Sequence, residues 1–456
     1  MQDSHLKPQP QPMYDPLHHA CPGPNRPQPN SYWHSHSQAL WPSLSTRLPA
    51  QADIVVIGAG YTGLNAALEL AERYQQQVLV LEANDIAWGC SSRNAGFAMP
   101  STGRLGYAAW AKKAGESVAR GIQREYAAAF ERLERHLEAC PQRLEQQLGG
   151  YLKIAHSDRA VALLRQQFAA LNYYEPQTRW LDRAALAQLI RSPQAHAALH
   201  FPHSYGVNPL LLASSVARQA VAAGAQLFSH CPVQHWQQCG AGRHQLDTPL
   251  GTISAAKVIV ASNGYTANHL HPSVHGRSLP VLSSVLVTRP LTASERAASG
   301  LTGEHLIMDT RALKYYFRLL PDGRLLFGGR GAIRGADADK AHYAQHLLAA
   351  LARTLPQLAA LCQQPPEYFW SGWVSVALDD YPRIYSPATT IYTSMGYCGA
   401  GVTFSQLAGA RVAQLAMGER LPELPFYQSP LPQFPLPQLR RLGQWAYYQW
   451  ARWQHQ

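Results

Sequence analysis

The chain has 456 residues, of which 46% are hydrophobic and 15% charged, enough apolar material for two or three domains and far from a disordered composition. Its 39 basic and 28 acidic residues leave a formal net charge of +11. Lys and Arg are scattered, with few doublets such as Lys112-Lys113 and Arg440-Arg441, and no run resembles a nucleic-acid arm, so no nucleic-acid partner is expected.

The first 50 residues are rich in Pro, Gln, Ser and His and lack the apolar stretch of a signal peptide. They read as a mobile arm that joins the fold late, with His5, His18, His19, His34 and His36 as solvated side chains. No apolar run reaches the ~20 residues of a membrane-spanning helix. Seven cysteines at irregular spacing signal neither a zinc site nor a disulfide framework. No metal is expected, and reduced thiols suit a cytoplasmic compartment.

The segment Ala52-Asp53-Ile54-Val55-Val56-Ile57-Gly58-Ala59-Gly60-Tyr61-Thr62-Gly63 leads into a helical Ala/Leu pattern over residues 64–71. An apolar strand, then Gly-x-Gly-x-x-Gly, then a helix is the dinucleotide-binding order. Gly58 makes the tight turn, Gly60 lets a pyrophosphate approach the backbone, and Gly63 lets the helix lie close on the sheet. A second strand, Val78-Leu79-Val80-Leu81, ends at Glu82, where the fold places its ribose-binding acid. The negative charge of Glu82 disfavours a 2′-phosphate.

After Glu82 comes a polar, glycine-containing loop that a simple NAD domain does not need, Ala83 to Phe97, containing Ser91-Ser92-Arg93-Asn94-Ala95-Gly96. Residues 108–200 read largely as helices, for example Glu125 to Leu148, with a short strand at Tyr151-Leu152-Lys153-Ile154. A buried strand at 257–261 opens into Ser262-Asn263-Gly264-Tyr265. Residues 278–369 alternate as strands at 281–287, 315–320 and 324–329, the last two joined by the turn Pro321-Asp322-Gly323. Trp370-Ser371-Gly372-Trp373 opens another strand, which runs to Asp379-Asp380-Tyr381-Pro382. A strand at 391–395 then breaks at Gly396-Tyr397-Cys398-Gly399-Ala400-Gly401-Val402-Thr403 and becomes a helix, presenting a second N-terminal dipole.

These segments, together with Asn30-Ser31-Tyr32-Trp33, resemble the D-amino-acid oxidase-like superfamily of FAD-dependent oxidoreductases, most closely its gamma-glutamylputrescine oxidase branch. The resemblance covers nearly everything from Asn30 onward. It implies an α/β fold in which a Rossmann-type FAD-binding domain carries a discontinuous α+β substrate domain built on an antiparallel sheet that roofs the flavin. The implied division is an arm at 1–50, an FAD-binding domain at 51–107, 201–277 and 370–420, a substrate domain at 108–200 and 278–369, and a tail at 421–456. The cofactor contacts it implies are Gly58, Gly60, Tyr61, Thr62, Gly63, Glu82, Ala83, Ser91, Ser92, Arg93, Asn94, Gly96, Val233, Ser262, Asn263, Gly264, Gly396, Gly399, Ala400, Gly401, Val402 and Thr403. Related enzymes that attach flavin covalently use a cysteine or a histidine at places occupied here by Gly372 and Arg93, so FAD is expected to bind non-covalently. Where the family often has threonine, this chain has Ala377.

The implied reaction is oxidation of a carbon–nitrogen bond in a small amine or amino acid, including a gamma-glutamylated polyamine, by hydride transfer to flavin N5 and hydrolysis of the imine. Electrons then pass to oxygen, in an oxidase, or to a quinone or protein, in a dehydrogenase. The rival readings are a flavin-binding partner that has lost turnover and an NAD-linked dehydrogenase. Candidate substrate contacts are Tyr316, Arg318, Trp370 and Tyr397, within an aromatic set that adds Tyr315 and Phe317; alternation along a strand turns half of such a set away. Arg318 and Arg330 are the candidate carboxylate partners, Lys314 a poorer one. The tail stripe Leu439, Leu442, Trp445, Tyr448, Trp453 is read as packing on the enzyme's own surface, with peripheral contact to an anionic membrane as the alternative.

Overall fold

A computed structural model describes residues 12–100, 102–140, 146–301 and 303–454. One eight-stranded sheet carries the nucleotide-binding signature. Its main path runs Arg383–Ala388, Ile391–Met395, Gly251–Val260, Gln51–Ile57, Val78–Leu81, Gln226–Phe228, parallel except for the antiparallel pair at the first edge. The strands at its centre are apolar on both faces, as a sheet covered on both sides requires. The helices Tyr61–Glu72, Pro209–Ala222 and Gly401–Ala416 pack in one core with this sheet.

The long helix Glu116–Glu138 joins that same core through Ala119, Ile122, Tyr126, Phe130 and Leu133. This corrects the assignment of everything from residue 108 to the substrate domain: the helix presents its apolar stripe to the nucleotide-domain helices. The helix also begins and ends earlier than Glu125 to Leu148, and residues 141–145 of that expected span lie outside the described residues.

A second eight-stranded sheet runs Tyr368–Val376, Leu279–Pro290, Arg324–Arg330, Tyr316–Leu319, Leu306–Asp309, Tyr151–Ala155, Ala197–Phe201, Arg179–Leu181. It is mixed, because Leu306–Asp309 lies parallel to Tyr151–Ala155 while its other pairs are antiparallel. The tryptophan–glycine strand Tyr368–Val376 is an edge of this sheet, paired with Leu279–Pro290, so the nucleotide domain resumes only after it and not at residue 370. One face packs on the helix Ala341–Thr354 through Leu286, Phe317, Phe327, Leu347 and Leu351. The other faces the nucleotide domain.

The N-terminal arm does not stand off the fold as expected but is anchored to it at several residues. Tyr14, Tyr32 and Trp33 are buried, because aromatic side chains interrupt the Pro/Gln-rich stretch and find sites in both domains. Tyr14 accepts a hydrogen bond from Trp373 Nε1 at 2.6 Å through its carbonyl, while the Asp15 carboxylate accepts from Gly335 N–H at 3.0 Å. Arg26 N–H donates to Asn84 Oδ1 at 2.7 Å and Trp33 Nε1 to Asn94 O at 3.0 Å. His34 is half-buried and burial pulls its pKa down to about 4, whereas His5 lies outside the described residues.

The tail also departs from expectation. Its helix Arg440–Trp453 buries Arg440, Gln444, Tyr448 and Ala451, and leaves Leu442, Trp445, Trp450 and Trp453 exposed. Of the expected core stripe, only Tyr448 faces inward. All seven cysteines are free, two of them buried. Among the described residues no helix is long and apolar enough to cross a membrane.

Candidate active site

A cavity of about 860 Å³ runs between the nucleotide sheet and the second sheet. At its nucleotide end, Gly58 holds φ +103°, and a Cβ there would press to within 3.1 Å of Ser262 Cα, just past the end of the neighbouring strand. A Cβ on Gly63 would fall 1.9 Å from the Gly58 carbonyl oxygen, so only glycine lets this helix start so close to the turn. Tyr61 N–H donates to Ser91 Oγ at 2.9 Å, which binds the loop after Glu82 to the helix start. Glu82 is buried, with its carboxylate accepting from Ala59 N–H at 2.8 Å and Asn84 N–H at 3.3 Å. Burial pushes its pKa up, against the pull of those N–H donors.

At the other end the helix Gly401–Ala416 begins beside the cavity, lined there by Gly399, Ala400, Gly401 and Val402. Ser405, in its first turns, also lines the cavity, and its Oγ is buried without a hydrogen-bond partner among the described residues. This helix and Tyr61–Glu72 are tied by a buried bond from Asn65 Nδ2 to Gln406 Oε1 at 2.8 Å. Two helix N-termini therefore open on one cavity, a ribose-type acid stands at one end, and an unpartnered hydroxyl lies at the other. These features fit a dinucleotide whose phosphates take the first helix and whose electron-poor ring takes the second.

Seventeen of the sequence-derived cofactor contacts line this cavity: Gly58, Gly60, Tyr61, Thr62, Glu82, Ala83, Ser91, Arg93, Asn94, Val233, Ser262, Asn263, Gly264, Gly399, Ala400, Gly401 and Val402. Gly63, Ser92, Gly96, Gly396 and Thr403 do not; they shape it from behind. Gly396 N–H, for example, donates to Asn263 Oδ1 at 3.0 Å, and Thr403 Oγ1 accepts from Met99 N–H at 3.0 Å. Ala377 is buried against this turn, its N–H toward Cys398 Sγ at 3.3 Å, and does not reach the cavity.

Arg93 and Gly372 are neighbours, since a Cβ on Gly372 would stand 3.1 Å from Arg93 Cβ. Arg93 is held by Trp88 O at 2.9 Å and Ser371 O at 3.2 Å, with its guanidinium over the Trp88 ring. Neither position offers a nucleophile. The nearby Cys90 thiol lines the cavity, but burial pushes its pKa up to about 11, which keeps it protonated.

The wall opposite the two helix ends is the inner face of the second sheet. Alternate residues of successive strands reach it: Tyr151 and Lys153, Leu199 and Phe201, Met308 and Thr310, Lys314 and Tyr316, Ser283 and Val285, Gly372 and Val374, with Arg330 beside Ser283 in register. Tyr315 and Phe317 point to the helix-covered side, as alternation demands. Tyr316 is on the wall, its hydroxyl 2.8 Å from Ser283 Oγ. Tyr397 lines the cavity too, but its hydroxyl is engaged by Thr62 Oγ1 at 2.7 Å and Ser394 Oγ at 2.8 Å, so it braces the nucleotide domain.

Arg318 and Trp370 are corrected as substrate contacts. Arg318 has the same alternation as Tyr316, yet one step further along the strand the sheet is covered by the arm and its neighbours. Its guanidinium donates to Gln147 Oε1 at 3.1 Å and Val207 O at 2.8 Å and lies over the Trp33 ring. Trp370 likewise is buried with Trp33 and donates from Nε1 to Arg93 O at 2.8 Å. Both side chains lie outside the cavity lining.

Lys153 was not singled out beforehand, although its charge inside an otherwise apolar strand was a visible signal. With Lys314 and Arg330 it makes the wall cationic. Asp309 takes up Arg311 and Asp380 takes up Arg104, whereas no ion pair forms at Lys153, Lys314 or Arg330 among the described residues. Lys153 donates to Gln167 Oε1 at 2.8 Å. Burial, then repulsion from Lys314, lowers its pKa to about 8; burial, then Arg104 and Arg330, lowers that of Lys314.

Residues 53–415 match the family model described as FAD dependent oxidoreductase. The gamma-glutamylputrescine oxidoreductase of Escherichia coli (strain K12) is 30% identical over 407 residues, 87% of this chain and 93% of that protein. Among solved structures, glycine oxidase from Geobacillus kaustophilus superposes with a TM-score of 0.69 at 21% identity, covering 84% of this chain and 99% of the other. L-proline dehydrogenase from P. horikoshii gives a TM-score of 0.68 at 19% identity over 83% of this chain and 96% of the other. The double-helix-ended cavity, the ribose-type acid and the match across most of the chain agree: this protein is a member of the FAD-dependent oxidoreductase family, an enzyme that uses FAD held non-covalently.

Proposed function

We propose that the enzyme oxidises the carbon–nitrogen bond of an amine that carries carboxylate, such as an amino acid, an N-substituted amino acid or a gamma-glutamylated amine. The observation that carries this reading is the wall formed by Lys153, Lys314 and Arg330, three basic side chains none of which enters an ion pair among the described residues, although Asp309 acts electrostatically on Lys314; the acid Glu175, which also lines the cavity, has its pKa pushed up to about 7 by burial. Such a wall repels free polyamines, which are polycations at neutral pH, and attracts anionic groups. The likeness to gamma-glutamylputrescine oxidoreductase supports the class, since a gamma-glutamyl group brings a carboxylate to an amine.

FAD supplies a two-electron acceptor. The chain's own residues supply position and field. The Arg330 guanidinium suits bidentate capture of a carboxylate, and the two lysines act as point charges for a second or more distant anionic oxygen. The same positive field lowers the pKa of a bound substrate ammonium, favouring the neutral amine from which hydride can leave. Tyr316, whose pKa is raised by burial, keeps its proton and remains a hydrogen-bond donor or acceptor beside Ser283. Phe97, Met99, Tyr151, Phe201 and Met308 line the apolar remainder and keep bulk water from it.

The experiment is anaerobic titration of the yellow protein with glutamate-type dicarboxylic amino acids, a gamma-glutamylated diamine and the free diamine. Carboxylate-bearing amines bleach the visible absorption of the oxidised flavin, and the free diamine does not. Lys314→Met and Lys153→Met raise KM about tenfold, the worth of one charge-assisted contact, with kcat little changed. In the unaltered enzyme KM rises as pH passes about 8, where Lys153 loses its proton. Bleaching by the free diamine alone overturns the substrate class; a yellow protein that none of these amines bleaches favours a flavin-binding partner without turnover.

A further inference from the structure

The C-terminal helix Arg440–Trp453 is amphipathic the wrong way round for a helix that only packs on its own protein. Its inward face is polar and clamped. Arg440 donates to Asn268 Oδ1 at 2.8 Å, Arg441 pairs with Asp15 at 2.8 Å and lies over the Trp373 ring, and Gln444 bonds Tyr448 at 3.2 Å. Its outward face carries Leu442, Trp445, Trp450 and Trp453, spaced at i, i+3, i+8 and i+11, with Leu436 and Leu439 extending the patch. Trp453 is 75% exposed and Leu442 58%. Three of the chain's eleven tryptophans thus stand on this one face.

Charge selects among the possible occupants. No Asp or Glu occurs anywhere from Leu424 to Gln456. Exposed Arg452 shares the surroundings of Tyr343 with Arg334 and Lys340, and those of His346 with Arg353. Arg334 and Lys340 share Asp337, and exposed Asp339 lies in the same loop, so with Arg452 and Arg353 the rim of the patch still carries more basic than acidic side chains. Trp and Tyr favour the level of lipid headgroups, and a cationic rim favours anionic ones.

We propose that this helix face is a peripheral membrane-docking surface that lies in the headgroup layer of an anionic bilayer, with Trp445 and Trp453 inserted and Arg452 at the headgroups. Tyr447 of the same helix lines the cofactor cavity, so the docking face adjoins the flavin site.

The test uses the full-length, FAD-loaded protein and vesicles of phosphatidylcholine with or without phosphatidylglycerol. Sedimentation with the anionic vesicles is expected, together with a blue shift of tryptophan emission and weakening at high salt. The double variant Trp445→Ser/Trp453→Ser, whose side chains face outward and support no core, is expected to lose about tenfold in vesicle affinity and to keep its visible spectrum and thermal midpoint. Equal sedimentation of parent and variant, or none with anionic vesicles, overturns the proposal. So does light scattering that shows a dimer of the parent dispersed by the same substitutions, which would assign the face to a second copy of this chain.

Discussion

Glu82 shows how one side chain is held in place for a ligand. Its two backbone donors come from Ala59, inside the glycine turn, and Asn84, just beyond the strand, so the carboxylate is aimed before any ribose arrives. Glu82→Gln keeps the size and one acceptor oxygen but removes the charge. We expect FAD dissociation to rise about 10- to 100-fold, from the ~1.5–3 kcal/mol typical of a hydrogen bond to a charged group, with the order of substrate preference unchanged; equilibrium titration of the apoprotein with FAD measures it. The glycines and this acid were legible in the sequence because their geometry is local, one turn between one strand and one helix. Arg318 and Trp370 were not. Alternation along a strand says which face a side chain takes, and for both it was right, but how far along that face the cavity extends depends on Trp33, more than 50 residues from either.

Three helices of the nucleotide domain share a polar seam inside their apolar core. His136 Nε2 lies 2.8 Å from Asn65 Oδ1, Arg132 pairs with Glu69 at 2.9 Å, and Gln414 Nε2 donates to Glu69 Oε1 at 3.0 Å. The seam fixes the relative register of the helices whose N-termini face the cavity, since each of its bonds is lost if one helix slides by a turn. His136 is kept neutral: burial, then the Arg132 charge, lowers its pKa from 6.5 to about 3. The unfolded chain therefore takes up a proton that the folded chain refuses, and stability falls as pH drops through 6.5 toward 3. His136→Gln is expected to flatten the dependence of the thermal midpoint on pH across that window, as measured by calorimetry. Element types were largely legible, because the strands at 51–57, 78–81 and 324–330 are apolar or alternate cleanly. The partnership of Glu116–Glu138 was not, since an apolar stripe does not say which core it meets. In the C-terminal helix the rule that an aromatic stripe is buried failed because two inward arginines, with bonds to Asn268 and Asp15, fix the opposite face.

At the scale of the whole molecule, Asp15 is where three separate stretches of chain meet. Its carboxylate takes an ion pair from Arg441 and a hydrogen bond from Gly335 N–H, while the carbonyl beside it, on Tyr14, takes Trp373. The arm thereby connects the substrate sheet, the loop after it and the C-terminal helix. Asp15→Ala leaves the partly buried Arg441 guanidinium without its counter-ion, a loss on the order of 1–3 kcal/mol. We expect a lower urea midpoint and faster trypsin cleavage in the C-terminal helix, with FAD affinity in the folded protein little altered; cleavage at the parental rate would deny the arm this role. Composition concealed the role, because proline and glutamine dominate the arm's statistics while Tyr14, Tyr32 and Trp33 carry its burial.

The arm's docking sites also set an order of events during synthesis. Tyr14 emerges from the ribosome long before Tyr265 and Trp373, and Asp15 before Gly335 and Arg441, which it must find. At about 5–20 residues per second the wait is on the order of tens of seconds. Throughout it, three large aromatic side chains remain on an unfinished nascent chain, open to chaperones and to neighbouring polypeptides. Tyr14 and Asp15, made early, are thus among the last residues to be placed, and their arrival reports that the rest of the enzyme has folded around them.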